Sequence, residues 1–215
     1  MAHVLLIVGG GIAAYKSLEL VRLLKKDGHQ VTPVLTKGGE HFITAMSLGT
    51  LAECAVHSSL WELKDEVEIG HIQLSRSADF ILVCPATADL LAKMAGGHAD
   101  DLATTLLLAT DKPVVVAPAM NVRMWLHPAT ARNVQQLSDD GVKALPESAF
   151  VPQGGGPPDG HRCAGEALIQ LAMPAFLGWF TKRYDIAWPA QDVSPGGGGL
   201  GPLPKSGVRV KVTPR

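Results

Sequence analysis

A glycine-rich segment near the start of the chain has the composition of a phosphate-binding loop. Gly9, Gly10 and Gly11 follow the apolar run 4–8 and precede a helical pattern over 12–26. Small residues at such a junction let a phosphate approach backbone N–H groups at a helix N-terminus. A dinucleotide site usually has an acidic residue after the second strand, where this chain has Thr-Lys-Gly-Gly (36–39). The sequence favours a mononucleotide over NAD, with a turn that binds no ligand as the alternative.

Two later segments place further polar side chains directly after apolar runs. Pro-Ala-Thr-Ala-Asp (85–89) follows the run 80–84, and we expect Pro85 to end that strand. Thr87 and Asp89 would then cap a helix or contact a ligand. Pro-Ala-Met-Asn-Val-Arg-Met-Trp (118–125) follows the run 114–117. Its asparagine offers a donor and an acceptor, and its Met and Trp offer surface to a ring system, although core packing explains such residues as well.

The histidines and cysteines do not form a metal pattern. His71, in Gly-His-Ile-Gln-Leu (70–74), precedes the run 80–84, and none of the eight histidines has H-E-x-x-H spacing. A lone histidine is usually structural or solvated. Cys54, Cys84 and Cys163 are odd in number and lack C-x-x-C spacing, which argues against a disulfide framework and a zinc site.

The elements between these motifs predict an α/β fold. Apolar strands are expected at 4–8, 31–35, 80–84, 114–117 and 142–145, and helices at 12–26, 40–52, 87–95, 100–109 and 129–138. Short apolar strands that alternate with helices are typical of a single doubly wound, Rossmann-like parallel sheet. Such sheets bind ligands at the carboxyl ends of their strands, which directs attention to 9–14, 36–42, 85–90 and 118–125.

Composition sets outer limits on function. The 215 residues carry a net charge of −1 with 47% apolar and 18% charged residues, which excludes a disordered polyelectrolyte and gives no support to nucleic-acid binding. The apolar runs are short and interrupted, so we expect no membrane span, no signal peptide and a cytoplasmic protein. Residues 147–215 hold 12 glycines and 9 prolines, a low-complexity level that residues 1–146 do not share.

Five motifs together carry a family resemblance. They are Gly-Gly-Ile-Ala-Ala-Tyr-Lys (10–16), Gly-His-Ile-Gln-Leu (70–74), Pro-Ala-Thr-Ala-Asp-Leu (85–90), Ala-Asp-Asp-Leu (99–102) and Pro-Ala-Met-Asn-x-x-Met-Trp (118–125). In this order and spacing they resemble the flavin-containing cysteine decarboxylases. Within that family they are most similar to the 4′-phosphopantothenoylcysteine decarboxylase domain of bacterial coenzyme A biosynthesis. The resemblance covers about residues 3–146.

This resemblance implies FMN as cofactor and assigns site residues by position. The implied FMN contacts are Gly10, Gly11, Ile12, Thr36, Lys37, Gly38, Thr87, Ala88, Asp89 and Ala119. His71 falls on the active-site histidine, and Asn121 and Met124 fall on substrate-binding positions. The implied reaction oxidises the substrate thiol, loses CO2 from the thioaldehyde, and reduces the product while a cysteine donates a proton. The implied assembly is a homotrimer or homododecamer with active sites between subunits.

The chain departs from the family pattern after residue 150. The segment that should supply the proton-donating cysteine reads His-Arg-Cys-Ala-Gly-Glu (161–166), which makes Cys163 the candidate. We therefore expect an FMN-binding decarboxylase domain at 1–174, with 151–174 as a flap, and a Gly/Pro-rich tail at 175–215. The tail is too short for the synthetase domain of the bifunctional bacterial proteins. It is either a divergent oligomer contact or an altered terminus, for example after a change of reading frame.

Three alternatives stay open at the level of sequence. Without a working Cys163 the chain would resemble the peptidyl-cysteine decarboxylases that release an enethiol. A flavin prenyltransferase fits less well because of His71 and Asn121. A non-catalytic phosphatase-regulatory relative usually carries a long acidic tail, whereas acidic residues after 174 are only Asp185 and Asp192.

Overall fold

A five-stranded, all-parallel sheet organises the chain. The computed structural model describes residues 1–60, 70–144, 184–187 and 211–214. The strands are β1 (His3–Val8), β2 (Gln30–Leu35), β3 (Phe80–Ala86), β4 (Val114–Pro118) and β5 (Lys143–Ala144), in the spatial order β2-β1-β3-β4-β5. This arrangement confirms the predicted doubly wound α/β fold.

Eight helices accompany these strands within the described ranges. They are α1 (Ala14–Lys26), α2 (Lys37–Glu40), α3 (Ala45–Ala52), α4 (Gly70–Ser77), α5 (Ala88–Ala95), α6 (Leu102–Ala109), α7 (Val122–Trp125) and α8 (Pro128–Asp139). The single helix predicted over 40–52 is two helices, because Thr36 and Thr44 each accept a backbone N–H and start a new one. Sequence patterns did not predict α4 or α7.

The core lies on both faces of the central strands. β1, β3 and β4 are almost wholly buried, which explains why they read as continuous apolar runs rather than alternating ones. Helix α1 buries its residues at positions 14, 17, 20, 21 and 24, the spacing of one helical face. The largest fully buried side chains include Leu5, Leu6, Ile7, Leu35, Leu48, Ile81, Leu91 and Leu106.

Pro85 does not end β3, contrary to the sequence-based expectation. The strand continues to Ala86, which pairs with Pro118 of β4 after an irregularity that begins at Val83. The missing N–H of Pro85 falls in this irregular stretch, and its carbonyl oxygen accepts a hydrogen bond from the Gly9 N–H at 3.2 Å. The proline therefore continues the strand and links its end to the loop after β1.

The chain divides into two compact units, Met1–Ala172 and Met173–Arg215. In the second, β6 (Tyr184–Ala187) pairs antiparallel with β7 (Lys211–Pro214). The alternating residues 208–212 predict a strand, and the observed β7 begins at Lys211. The tail sequence also predicts a short amphipathic helix at 176–180 and a linker at 194–204, and both lie outside the described residues. No helix within the described ranges is long and apolar enough to cross a bilayer.

A buried histidine gives the fold a predicted pH dependence. His29 is 6% exposed, and its Nδ1 accepts the Ala2 N–H at 3.1 Å. Burial and, secondarily, the N-terminal charge hold the pKa of His29 below its ordinary value, so the unfolded chain binds the proton more readily. Stability should therefore fall as the pH drops below about 6.5.

We expect the melting temperature of the wild type to fall more between pH 7.5 and 5.5 than that of His29→Gln, whose amide oxygen can accept the same N–H. His41→Gln, a change at an exposed histidine, is the matched control and should follow the wild type. Parallel pH profiles for wild type and His29→Gln would contradict this account.

Candidate functional site

One pocket of about 770 Å³ lies at the carboxyl edge of the parallel sheet. It receives segments that follow β1, β2, β3 and β4. Its position agrees with the switch point of this strand order, between β1 and β3, where connections leave toward opposite faces. The volume is in the range of pockets that hold a cofactor-sized molecule.

At the end of β1 the backbone packs directly against the backbone of the neighbouring segments, with no side chain between them. A Cβ on Gly9 would collide with the carbonyl oxygen of Pro85. A Cβ on Gly10 would lie 2.8 Å from the Cα and carbonyl carbon of Gly38. Real Cβ atoms do not approach backbone this closely, so glycine is required at both positions. These contacts bring the loops after β1, β2 and β3 together.

Thr36 ties the end of β2 to the end of β1. Its hydroxyl donates to the Val8 carbonyl at 2.9 Å and accepts the Gly39 N–H at 3.1 Å, which caps α2. Lys37 follows as an exposed residue at the rim of the pocket. This corner therefore presents an ammonium group and glycine backbone, with no carboxylate at 36–39 that could bind a ribose diol.

The segment after β3 lines the pocket at the start of α5. The Thr87 hydroxyl accepts the Leu90 N–H at 3.2 Å, so this residue is the N-cap of the helix. Ala88 and the exposed Asp89 lie in the first turn, on the pocket side. Lys93 lies one turn further along the same face and also lines the pocket.

The segment after β4 closes another side of the pocket. The Ala119 N–H donates to the Ala86 carbonyl at 2.9 Å and fixes this loop beside the end of β3. The Asn121 Oδ1 accepts the Arg123 N–H at 2.8 Å and caps α7. The second half of the Asn121 amide, its NH2 group, can then donate to a ligand. Met124 is 49% exposed, and both Met120 and Met124 line the pocket.

Every described residue that the sequence assigned to cofactor or substrate binding lines this one pocket. They are Gly10, Gly11, Ile12, Thr36, Lys37, Gly38, Thr87, Ala88, Asp89, Ala119, Asn121 and Met124. The structure adds residues without an assigned role, namely Gly9, Ala13, Leu90, Lys93, Asp100, Asp101 and Met120. The motif Ala-Asp-Asp-Leu (99–102) held the signal for the two aspartates, but spacing alone did not place them in the site.

The two candidate proton-transfer residues are described less fully. His71 is the second residue of α4, the helix that precedes β3. Its side chain and all of Cys163 lie outside the described part of the structure. Their roles therefore stay predictions.

Other reactive groups in the described residues offer little chemistry. Burial raises the pKa of the Cys84 thiol to about 12, so this residue is no nucleophile at neutral pH. Cys54 is exposed, and burial of its thiol raises its pKa as well. Among the described side chains, no group of three or more His, Cys, Asp or Glu could hold a metal ion.

Known proteins share both the sequence and the fold. Residues 1–158 match the family model described as Flavoprotein. The coenzyme A biosynthesis bifunctional protein CoaBC of Vibrio vulnificus is 43% identical over 192 residues, which cover 89% of this chain and 45% of that protein. The CoaBC of Mycolicibacterium smegmatis is 37% identical over 190 residues, with 88% and 45% coverage. The chain thus spans less than half the length of these relatives.

Solved structures give the same result. A PPC decarboxylase variant complexed with pantothenoylaminoethenethiol superimposes with a TM-score of 0.67 at 30% identity, and covers 83% of this chain and 98% of that one. The FMN-dependent cysteine decarboxylase SpaF superimposes with a TM-score of 0.64 at 31% identity, over 80% of this chain and 98% of that one.

The contact between Gly10 and Gly38 at the pocket floor predicts that alanine at these two positions destabilises the fold to different extents. Gly10→Ala should lower the free energy of unfolding by about 1–3 kcal/mol, because the new methyl group meets the Gly38 backbone at 2.8 Å. Gly38→Ala is the matched control and should cost less, since its Cβ meets the Gly10 Cα at the longer distance of 3.2 Å. Urea unfolding measures both; equal losses, or the reverse order, would refute the contact.

Proposed function

The chain belongs to the flavoprotein family, and on this premise we propose that it catalyses the FMN-dependent decarboxylation of 4′-phosphopantothenoylcysteine to 4′-phosphopantetheine. It would then be a carbon-carbon lyase of coenzyme A biosynthesis. The identity of 43% to a coenzyme A biosynthesis protein supports the pathway. The likeness to a PPC decarboxylase at 30% identity supports the reaction.

One observation carries this proposal. The residues that the sequence assigned to cofactor and substrate follow four different strands, and all those described meet in one pocket. Loop residues that share no ligand would be expected at scattered positions along the carboxyl edge of the sheet. Convergence on a single cavity is what one cofactor with an adjoining substrate requires.

The residues present fit FMN. The side-chain-free floor at Gly10 and Gly38 lets a phosphate approach backbone N–H groups, and the Lys37 ammonium at the same corner favours an anion. Met120 and Met124 offer soft surface to a flat ring. The lack of a carboxylate at 36–39 disfavours the ribose of a dinucleotide. FMN would therefore lie along the loops that begin at Gly10, Thr36, Thr87 and Ala119.

The chain's own residues would bind the substrate and move its protons. Bound FMN would supply a reversible two-electron acceptor for oxidation of the substrate thiol to a thioaldehyde. The carboxylate then lies β to a carbon that can take up the electrons left by CO2. The Asn121 NH2 group would donate to the substrate carboxylate, since Arg123 N–H already holds its Oδ1. His71 would accept the thiol proton, and Cys163 would return a proton to the product carbon. Met124 would cover the substrate.

The proposed assembly is a homotrimer or homododecamer in the cytoplasm. Large apolar side chains are exposed in the segments that follow β1 and β2, with Ile12 at 70%, Phe42 at 47% and Met46 at 82%. Apolar surface of this kind is typical of a contact between proteins. Sedimentation velocity would give the size of the assembly, and a monomer at micromolar concentration would overturn this part of the proposal.

A peptidyl-cysteine decarboxylase is the second candidate. The similarity to SpaF at 31% identity favours it, as does the divergent sequence around Cys163. The two candidates differ in their product: the coenzyme A enzyme releases a saturated thiol, whereas the second candidate releases an enethiol.

We expect the purified protein to be yellow with bound FMN, and to release CO2 and phosphopantetheine from phosphopantothenoylcysteine under anaerobic conditions. A colourless protein that takes up no FMN would overturn the proposal. An enethiol product, with flavin that stays bleached, would select the second candidate and show that Cys163 is idle.

His71→Asn should abolish turnover and leave FMN bound, because the change removes a proton acceptor and replaces it with a neutral side chain of similar size. His98→Asn, a change at an exposed histidine in the loop after α5, is the matched control and should keep wild-type turnover. Full activity of His71→Asn would remove this histidine from the mechanism.

A further inference from the structure

A polar wall bounds the pocket on the side of α5. It consists of Asp89, Lys93, Asp100 and Asp101, all of which line the cavity. The Lys93 Nζ lies 3.0 Å from Asp100 Oδ2 and 3.5 Å from Asp101 Oδ2. The wall therefore holds one ammonium among three carboxylates, and of these four residues only Asp89 belongs to the contacts that the family resemblance implies.

Stability of the fold is a weak explanation for this arrangement. The side chains of Lys93 and Asp100 are 27% and 59% exposed, and ion pairs at such exposure contribute little to stability. Asp101 already has a structural task, since its Oδ1 accepts the Thr104 N–H at 2.8 Å and caps α6. Lys93 has no comparable task in the described residues.

The environment keeps Lys93 charged and leaves it a free donor. The hydrogen bond to Asp100 raises the pKa of Lys93, and the nearby charges of Asp101, Asp100 and Asp89 act in the same direction. An ammonium has three N–H donors. Asp100 takes one at 3.0 Å, and Asp101 at 3.5 Å lies at the limit of a second hydrogen bond. At least one donor can therefore serve a ligand in the cavity that Lys93 lines.

We propose that Lys93 is a further cofactor-binding residue, which donates a charge-assisted hydrogen bond to an acceptor atom of the flavin ring. The inference rests on the proposed FMN site and adds a residue to it. A cation beside the ring stabilises the reduced, electron-rich flavin more than the oxidised one and so raises its reduction potential. Asp100 and Asp101 then act as positioning residues, which hold the ammonium in place and partly offset its charge.

The test compares two single variants of the FMN-loaded protein. Lys93→Met should weaken FMN binding about tenfold, the effect of one hydrogen bond to a charged group, and lower the midpoint potential of the bound flavin. Asp100→Asn should shift both quantities the other way, because it removes a negative charge from beside the ammonium while its amide oxygen can still accept the hydrogen bond that positions Lys93. Flavin fluorescence titration gives the dissociation constant, and equilibration with a reference dye gives the potential.

A second lysine of similar exposure is the matched control. Lys112 is 30% exposed, pairs with Asp111 at 3.7 Å and lines a separate cavity of about 340 Å³. Lys112→Met should leave the FMN affinity and the potential at wild-type values. Lys93→Gln provides a second uncharged variant if the methionine variant folds poorly, and circular dichroism checks the folding of all four.

Two results would overturn the inference while leaving the proposed function intact. Wild-type affinity and potential in folded Lys93→Met or Lys93→Gln would show that Lys93 does not contact the flavin. Equal weakening in Lys93→Met and Asp100→Asn, without opposite shifts of potential, would show that the ion pair only fastens the loop between α5 and α6. Failure of the wild type to bind FMN is a different outcome and refutes the proposed function itself.

Discussion

The pocket depends on the close approach of three backbone segments at the end of β1. This strand lies between β2 and β3, in register with both, so the loop that leaves it must pass between theirs. Gly9 meets the Pro85 carbonyl and Gly10 meets the Gly38 backbone at distances that exclude any Cβ. Because a parallel sheet directs all its carboxyl ends to one edge, these contacts turn separate strand ends into one cavity floor.

Hydrogen bonds around that floor fix the other segments relative to it. Thr36 joins the ends of β1 and β2, and the Ala119 N–H joins the loop after β4 to β3. The charges are then distributed unequally. Lys37 lies at the corner formed by β1 and β2, and on the side of α5 Lys93 pairs with Asp100 and Asp101 in a wall that also holds Asp89. A ligand with an anionic end and a hydrogen-bonding ring fits this distribution.

The sequence predicted the sheet well because β1, β3 and β4 are almost wholly buried and therefore read as continuous apolar runs. It was wrong at Pro85, since a proline normally ends a ladder but here falls where the ladder is already irregular. It missed α4, because Ile72 and Leu74 are its only large apolar residues and their spacing of two is not that of a helical face. The sequence did not assign Lys93 to the site either, because a lysine in an amphipathic helix is usually solvated. Its position at the pocket is evident only from the structure, through its ion pairs with Asp100 and Asp101 after α5.

The predicted site residues that follow a strand directly line one pocket, since strand ends are fixed by the sheet, and their roles stay predictions. His71 and Cys163 depend on segments further from strand ends, and no local pattern determines how such segments approach the pocket. For Cys163 even the family spacing is no guide, because residues 150–174 diverge from the family pattern.

The central claim is that the loops after β1, β2, β3 and β4 form the site of one FMN molecule. A crystal structure of the FMN-loaded protein tests it most directly. The account predicts density for FMN in the cavity floored by Gly10 and Gly38, with its phosphate at the corner that carries Lys37. Density for FMN elsewhere, for example in the cavity beside Lys112, or a phosphate at the acidic wall, would contradict it.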